Sequence, residues 1–385
     1  MGMTKRMRIA ALDPLFFRDG KPFTMGSDHV ATSQFPPSPG VVYGALRTLF
    51  FAHHPLLFAR LKKTNAWGQK GIDPTAVLRL RGLYLSRGNE LLVPLPLDCV
   101  REVREKGQKD EAPTVILARR RVEGISNYPL PQVLVSPFSD DRRVESVEQG
   151  LCTATDFAKY LTGASRRGPV PVRLRSSRSP SLVVTEYKVG IGRSPATGHV
   201  REGMLYRAGM VRLHPDVSLV VDYEADNSAP SNAPFVLPER GVLRLGGEGR
   251  TAAFTHEEPT AWPAPEVDPR AFKVVLLTPA LFANGWHPGW LRVEAEKGYV
   301  GTFRGVTVEL LAAAVGRYVN VGGFDMSKGR PKPMWRAVPA GSVYYFSAQP
   351  PATSTDVVKA FHCVSLSDFR QEEGFGLAVV AREPS

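Results

Sequence analysis

The chain of 385 residues is poor in cysteine: Cys99, Cys152 and Cys363 are its only three, and they lie far apart. They form no CxxC pair and no Cys–His spacing typical of zinc, and they do not make a disulfide framework. The pattern favours a protein of the reducing cytosol. The sequence also has no run of about 18 apolar residues, so we expect a cytoplasmic protein without a membrane span.

Several catalytic motifs are missing from the sequence. It contains no GxxxxGK[ST] phosphate loop and no HExxH, GxSxG or DxD element. The segment 190–198 (GIGRSPATG) resembles a GxGxxG loop only loosely, because Pro195 stands where a helix would begin and no suitable acidic residue follows. We therefore expect neither a cofactor nor a metal site.

A metal-independent ribonuclease would need a general acid or base, and histidine is the usual choice. Among eight histidines, His29 is the candidate, since it lies in a polar loop beside a proline-rich turn. Arg18 or Lys21 would then stabilise the phosphate. We favour the simpler interpretation, in which His29 packs locally or touches an RNA phosphate.

Positive charge is abundant and unevenly distributed. The net charge is +12, and residues 165–213 hold ten Lys or Arg and two acidic residues. Residues 214–270 hold four Arg and ten acidic residues. Such separation favours a local surface that binds a polyanion over an evenly mixed, merely solvated surface.

Four segments carry the pattern of RNA contacts. Arginine forks bind phosphates, glycines let the backbone approach closely, and an aromatic ring beside cations can stack on an unpaired base. The segments are 166–178 (RRGPVPVRLRSSR), 188–207, which we expect to form a β-hairpin or flap over RNA, 328–336 (KGRPKPMWR) and 373–379 (EGFGLAV). The last departs from an RNP1 core, because no basic residue precedes Gly374.

Periodicity and turn residues predict a strand-rich chain with few helices. Ser38-Pro39 predicts the start of a helix over 40–53. The proline-rich stretch 259–269 predicts a linker, and 100–180 is interpreted as an irregular polar insertion. Strands are expected at 6–12, 77–85, 90–95, 182–188, 203–213, 217–223, 242–254, 272–278, 341–347 and 375–382, a short helix at 365–372, and either a helix or a strand at 306–315.

Eight sequence blocks resemble those of one family. They are LDPLFFRDGKPF (12–23), SQFPPSPGVVYGALR (33–47), LVPLPLD (92–98), EYKVGIGRSPATGHVREGMLYR (186–207), LGGEGR (245–250), VGGFD (321–325), KPMWRAVPAGSVYYF (332–346) and EEGFG (372–376). Together they are similar to the third subunit of the Cmr-type effector complex, a RAMP-superfamily protein of type III-B CRISPR systems. The resemblance extends from residue 8 to about 380.

The resemblance implies an α+β fold of two ferredoxin-like (βαββαβ) domains with a β-hairpin insertion in the first. We place the domains at 1–258, with an insertion at about 100–200, and at 270–385. It implies a non-catalytic ribonucleoprotein subunit of antiviral defence that holds the 5′ handle of crRNA. Its implied protein partners are the large polymerase/cyclase-like subunit and a backbone RAMP subunit.

Two alternatives remain open at this point: a CRISPR RNA-processing endoribonuclease on the same fold, and a basic scaffold that contacts only proteins. For the favoured role we expect no catalytic residue and a set of RNA-binding residues. These are Arg18, Lys21, His29, Arg47, Arg166, Arg167, Arg173, Arg175, Arg178, Arg193, His199, Arg201, Lys328, Arg330, Lys332, Gly374, Phe375 and Gly376.

Overall fold

The computed structural model describes residues 3–18, 30–103, 113–124, 128–138, 142–175, 181–228, 233–294, 298–325 and 329–384. This part of the chain is a mixed, strand-rich α/β structure with mainly antiparallel sheets and four helices. The helices are α1 (Pro39–Ala52), α2 (Pro55–Thr64), α3 (Ala154–Thr162) and α4 (Ser354–Phe361).

The strands, in chain order, are β1 (Lys5–Ala11), β2 (Val30–Ala31), β3 (Leu78–Arg87), β4 (Glu90–Pro94), β5 (Cys99–Glu102), β6 (Val115–Ile116), β7 (Ala118–Arg121), β8 (Gln132–Val135), β9 (Val144–Ser146), β10 (Gly150–Thr153), β11 (Val172–Arg173), β12 (Val183–Arg193), β13 (Val200–Leu213), β14 (Val217–Ala225), β15 (Arg240–Arg244), β16 (Thr251–Glu257), β17 (Phe272–Leu276), β18 (Arg292–Glu294), β19 (Gly298–Phe303), β20 (Val306–Ala314), β21 (Val319–Val321), β22 (Phe324–Asp325), β23 (Arg330–Pro331), β24 (Trp335–Ala337), β25 (Val343–Ala348), β26 (Val364–Ser365) and β27 (Leu377–Arg382).

The chain divides into two compact units. Unit 1 comprises Met1–Gly88, Arg175–Pro259 and Asn320–Trp335, and unit 2 comprises Asn89–Leu174, Thr260–Val319 and Arg336–Ser385. Unit 1 contains the segment that ends at Pro259, where the proline-rich stretch begins, and unit 2 contains 89–174. The domain bounds expected from the sequence stay a prediction.

Unit 1 is built on a sheet of strand order β3-β14-β1-β16-β15. Alternation along β1 places Met7 and Ile9, both buried, on the face opposite to Arg6. The predicted helix over 40–53 is confirmed as α1. It begins at Pro39, although Ser38 makes no side-chain capping bond.

A long hairpin also belongs to unit 1. Strands β12 and β13 pair from Val183↔Leu213 to Ile191↔Leu205, and Arg193↔Val200 follows a register shift. Its base is packed, because Ala208 and Met210 lie in a small cluster with Phe16 and Ala31. The predicted β-hairpin is confirmed and extends further than the strands expected at 182–188 and 203–213.

Unit 2 contains a sheet of order β18-β19-β20-β25-β17-β27-β26. The ambiguous segment 306–315 forms strand β20, whose alternating burial is that of a strand with one face in the core. The helix predicted at 365–372 is wrong. The helix lies earlier, at α4, where Thr353 and Asp356 form a capping box that fixes its start.

The stretch 100–180 is more regular than its polar composition predicts. Its described residues form β10 and β11, in the order β11-β10-β4 beside the strand predicted at 90–95, further short strand pairs, and α3, which Thr153 caps by accepting a hydrogen bond from the Asp156 amide. The expectation that 100–180 is irregular is therefore wrong for these elements, and its interpretation as an insertion stays a prediction. Apolar contacts supplied by the rest of unit 2 order a segment that has little apolar periodicity of its own.

A buried polar cluster lies in unit 2 around Asp98, which is fully buried. Its carboxylate accepts hydrogen bonds from Tyr160 Oη (2.8 Å), Tyr345 Oη (2.7 Å) and Lys273 Nζ (3.1 Å). The ammonium of Lys273 also lies 3.9 Å from the centre of the Tyr160 ring. We call these four residues the Asp98 cluster. A fully buried charge pair persists only when its remaining hydrogen-bonding capacity is satisfied in this way.

Candidate nucleic-acid interface

The β12–β13 hairpin presents four arginines to solvent: Arg193, Arg201, Arg207 and Arg212. The first three form no ion pair with a described acidic side chain. Arg193 and His199 flank the turn, where the Ser194 amide donates to the His199 carbonyl at 2.9 Å. The predicted residues Arg193 and Arg201 therefore both lie near the tip, and Arg207, which the sequence did not single out, lies further down the same hairpin.

One face of this hairpin is apolar and exposed. Residues directly opposite in an antiparallel pair share a face, so Tyr187, Val189 and Ile191 share theirs with Leu205 and Arg207. Tyr187 and Val189 are 62% and 56% exposed. A row of exposed apolar side chains on a projecting hairpin marks a contact surface, because solvent-facing strand positions are otherwise polar.

Two other cations of the hairpin are paired within unit 1. Lys188 contacts Glu248 at 3.1 Å, and Arg212 contacts Glu186 at 2.6 Å. The hydrogen bond to Glu186 raises the pKa of the Arg212 guanidinium. These pairs are exposed, so we assign them little stability. They distinguish Lys188 and Arg212 from the arginines nearer the tip, which have no ion pair with a described acidic side chain.

The arginines of 166–178 lie on separate elements. Arg166 and Arg167 are exposed in unit 2 after α3, and Arg173 is exposed on β11 at the end of its sheet. Arg175 belongs to unit 1, where its guanidinium donates to Thr185 Oγ1 at 3.2 Å. These positions leave all four guanidinium groups at the surface, and their contact with RNA stays a prediction.

Arg47 is engaged inside unit 1. Its guanidinium contacts the buried Asp73 carboxylate at 3.0 Å and donates to Thr75 Oγ1 at 2.7 Å. An arginine held in this way orders the segment after α2, so the structure favours a folding role over the predicted RNA contact. Arg18 is exposed, and its backbone forms an isolated bridge with Ser33.

The segment 328–336 contributes Arg330 and Lys332, on or next to strand β23 of unit 1. In unit 2, Arg336 lies over the Tyr318 ring with its guanidinium carbon 4.7 Å from the ring centre, and both side chains are exposed. This stacked pair was not predicted from the sequence, although Arg317-Tyr318 carries the same signal of a cation beside an aromatic ring.

The glycine-rich turn at Gly374, Phe375 and Gly376 is closely packed. Phe375 is fully buried. The Gly376 amide donates to the Pro279 carbonyl at 2.8 Å, and the Gly374 amide donates to Gln371 at 3.0 Å. The prediction that this turn offers its aromatic ring and bare amides to RNA is therefore not supported, because all three groups are used inside unit 2.

Four predicted residues, Lys21, His29, Arg178 and Lys328, lie outside the described residues. Within the described ranges, no group of three or more His, Cys, Asp or Glu side chains is arranged to hold a metal ion. The helices described here are all too short or too polar to cross a membrane.

Comparison with known proteins gives the family. A chain of the cryo-EM structure of the type III-B Cmr-beta bound to cognate target RNA and AMPPnP is 17% identical, with 88% of this chain and 86% of that one covered and a TM-score of 0.48. A chain of the Csm3-Csm4 subcomplex of the type III-A CRISPR-Cas interference complex is 11% identical, with 89% and 93% covered and a TM-score of 0.35. No curated protein matches significantly.

Residues 7–382 match the family described as CRISPR-associated protein (Cas_Cmr3). The match spans nearly the whole chain and confirms the Cmr-type resemblance of the sequence blocks. The chain therefore belongs to the Cas_Cmr3 family of CRISPR-associated proteins.

Proposed function

We propose that this chain is a non-catalytic RNA-binding subunit of a type III-B CRISPR effector complex and that it holds the 5′ repeat-derived handle of crRNA. Family membership supplies the CRISPR context. The observation that carries the RNA role is the β12–β13 hairpin, where exposed arginines without an ion pair to a described acidic side chain lie on the same two strands as an exposed apolar face.

The two parts of the hairpin suit a single-stranded ligand. Arg193, Arg201 and Arg207 would neutralise backbone phosphates, which supplies affinity with little sequence preference. Tyr187, with Val189 and Ile191, would pack against unstacked bases, which are available only where RNA is unpaired. A double-stranded RNA would keep its bases stacked and would leave this apolar face in water.

We infer that each unit contains a ferredoxin-like domain. Four strands of unit 1 lie in the order β16-β1-β14-β3, and four of unit 2 in the order β27-β17-β25-β20. In chain order, each set reads 4-1-3-2, the arrangement of a βαββαβ sheet. Of the two helices expected in each, α1 follows the first strand in unit 1, and α4 precedes the last in unit 2.

The proposed place in the complex is at the 5′ end of the guide, where this subunit would bridge the large polymerase-like subunit and the backbone RAMP subunits. The acidic excess of 214–270 supports protein contacts for that region, since like charge disfavours RNA there. The buried free thiols Cys99 and Cys152 are compatible with the reducing cytoplasm that we propose as its location.

Binding of handle RNA at increasing salt tests the RNA role. Substituting Arg193, Arg201 and Arg207 together by alanine should weaken binding and reduce the salt slope by about 2, since each phosphate contact to a single strand contributes about 0.7. Arg212→Ala is the matched control, because that arginine is already paired with Glu186 on the same hairpin. An unchanged slope in the triple variant would reject the hairpin as the RNA-binding element.

Incubating the purified chain with repeat RNA tests the non-catalytic assignment. We expect intact RNA after long incubation. Cleavage at one position that His29→Ala abolishes would instead establish the endoribonuclease alternative.

A further inference from the structure

Strand β15 ends the unit 1 sheet, and its outer edge is open. The ladder to β16 includes bonds from the His256 amide to the Glu239 carbonyl (2.9 Å) and from the Leu245 amide to the Arg250 carbonyl (2.8 Å). In this antiparallel register, the backbone N–H and C=O groups of the odd-numbered residues of β15 point toward β16. The backbone groups of Arg240, Val242 and Arg244 point outward, and no hydrogen bond to them is found in the described part of the chain.

An apolar groove of about 490 Å³ runs beside this edge. Its walls include Leu49 and Phe51 of α1, Phe58 of α2, and Val242 and Leu243 of β15. Phe58 and Val242 are 42% and 55% exposed. Apolar side chains from a neighbouring strand would enter such a groove at alternate positions, while its backbone paired with the open edge.

The charged side chains of the two elements β15 and α2 beside the groove are all cations, although the exposed Glu239 directly precedes β15. Strand β15 carries Arg240 and Arg244, and helix α2 carries Arg60, Lys62 and Lys63, with no acidic residue in either element. All five cations are exposed. Because side chains alternate along a strand, those of Arg240, Val242 and Arg244 share the sheet face opposite to that of Leu243. On that face the two arginines flank the exposed valine.

We propose that β15 is an interaction edge that receives an extended segment of a protein partner as an additional strand. The segment has carboxylate side chains beside Arg240 and Arg244, and apolar side chains at the alternate positions that fill the groove. The edge strand β15 therefore recognises an alternating sequence of the type Glu-Leu-Val-Leu-Glu in its partner. This inference does not depend on the RNA-binding role of the hairpin.

Protection against aggregation and binding of RNA are two simpler roles for this edge, and each leaves one of its features unused. Charged residues on an edge strand can serve only to prevent aggregation, but that role does not require an open apolar groove beside the strand. RNA would be attracted by the cations, but a largely apolar groove offers its phosphates no hydrogen-bond donors. A strand with acidic and apolar side chains uses the backbone edge, the groove and the cations together.

The test uses the full chain and fluorescent peptides that contain the core Glu-Leu-Val-Leu-Glu or its lysine counterpart, Lys-Leu-Val-Leu-Lys, measured by anisotropy. We expect saturable binding of the acidic peptide and at least tenfold weaker binding of the basic one. Val242→Pro should weaken binding at least tenfold, because proline removes an amide that the β15–β16 ladder does not use. Binding of handle RNA by the hairpin should remain unchanged in this variant.

A second variant covers the case in which Val242→Pro fails to fold. Substituting Arg240 and Arg244 by glutamate should reverse the preference between the two peptides, whereas Arg292→Glu, on the edge strand β18 of unit 2, should leave it unchanged. The proposal is overturned if neither peptide binds saturably, if a folded Val242→Pro variant binds as the unsubstituted chain does, or if the arginine substitutions weaken binding of RNA and not of the peptide.

Discussion

Lys273 and the tip arginines of the β12–β13 hairpin have the same charge and opposite surroundings. Lys273 is fully buried in unit 2, where Asp98 and the Tyr160 ring take up its charge. Arg193 and Arg201 are exposed in unit 1, without an ion pair to a described acidic residue. All three count equally toward the net charge of +12.

The comparison shows why a charge surplus alone does not locate a polyanion site. The buried cations Arg6 and Lys273 contact carboxylates at 2.7 and 3.1 Å and belong to the folding of their units. Only cations whose surroundings leave them uncompensated contribute to attraction of RNA. On this basis we propose that the hairpin binds RNA and that the Asp98 cluster serves the folding of unit 2.

The largest expected effect comes from breaking the buried pair. Lys273→Met should lower the free energy of unfolding by about 3–5 kcal/mol, because it leaves the Asp98 carboxylate buried without its counter-ion. Lys159→Met is the control, since Lys159 is 56% exposed in its pair with Asp156, and the change there should be below about 0.5 kcal/mol. If chemical denaturation gave the same loss of unfolding free energy for Lys273→Met and Lys159→Met, the Asp98 cluster would not be the structural element we describe.

The glycine-rich turn provides the next comparison, between packing and RNA contact. Gly376 has φ of +71°, and a Cβ there would lie 2.5 Å from the Ser367 amide nitrogen, whereas Gly305 has φ of +86° and open space. Gly376→Ala should therefore destabilise the chain by about 1–3 kcal/mol more than Gly305→Ala, since only the former adds overpacking to backbone strain. A stable Gly376→Ala variant that loses only RNA affinity would restore the turn as an RNA contact.

On the apolar face of the hairpin, a substitution should reduce RNA affinity and leave stability nearly unchanged. Tyr187→Ala should reduce affinity for handle RNA by about 1–3 kcal/mol, the value of one stacked base. The thermal unfolding temperature should barely change, because the ring is exposed. Val236→Ala, an exposed apolar position of unit 1 outside the hairpin, serves as the control and should leave RNA affinity unchanged.

The smallest effect concerns alkaline pH. Burial, together with the Asp98 charge, raises the pKa of Tyr160 and of Tyr345 well above the ordinary value of 10.0. Above pH 10 both hydroxyls stay protonated in the folded chain, whereas the unfolded chain releases these protons. The contribution of the two hydroxyls to the unfolding free energy is therefore complete below pH 10 and is lost as the pH rises further. Tyr345→Phe should reduce the fall in unfolding free energy by about 1.4 kcal/mol per pH unit there. A fall of unchanged steepness in denaturant titrations would contradict this assignment.

Local signals in the sequence predicted much of the fold. Ser38-Pro39 located the start of α1, and alternation predicted most of the strands. The prediction of a helix at 365–372 was wrong, although Thr353 and Asp356 form the capping-box pattern that marks the start of α4. The missed order in 100–180 has a different cause, because the helix and strands there are stabilised by residues of unit 2 that are distant in sequence.

The candidate site was predictable as a region and less so by residue. The run 186–207 contains the hairpin, the tip cations and the apolar alternation. Whether a given arginine is free depends on partners that the sequence cannot show: Arg47 contacts Asp73, 26 residues away, and Asp98 contacts Lys273, 175 residues away. For the same reason, the burial of Phe375 could not be inferred from its glycine neighbours.

Site-specific photo-crosslinking from position 191 tests the central claim most directly. A photoreactive residue replacing Ile191, on the apolar face of the hairpin, would be activated in the assembled crRNA-containing complex, and the crosslinked nucleotide mapped by primer extension. The account predicts crosslinks to the repeat-derived nucleotides at the 5′ end of the guide. Crosslinks to protein alone, or to nucleotides elsewhere in the guide, would contradict it.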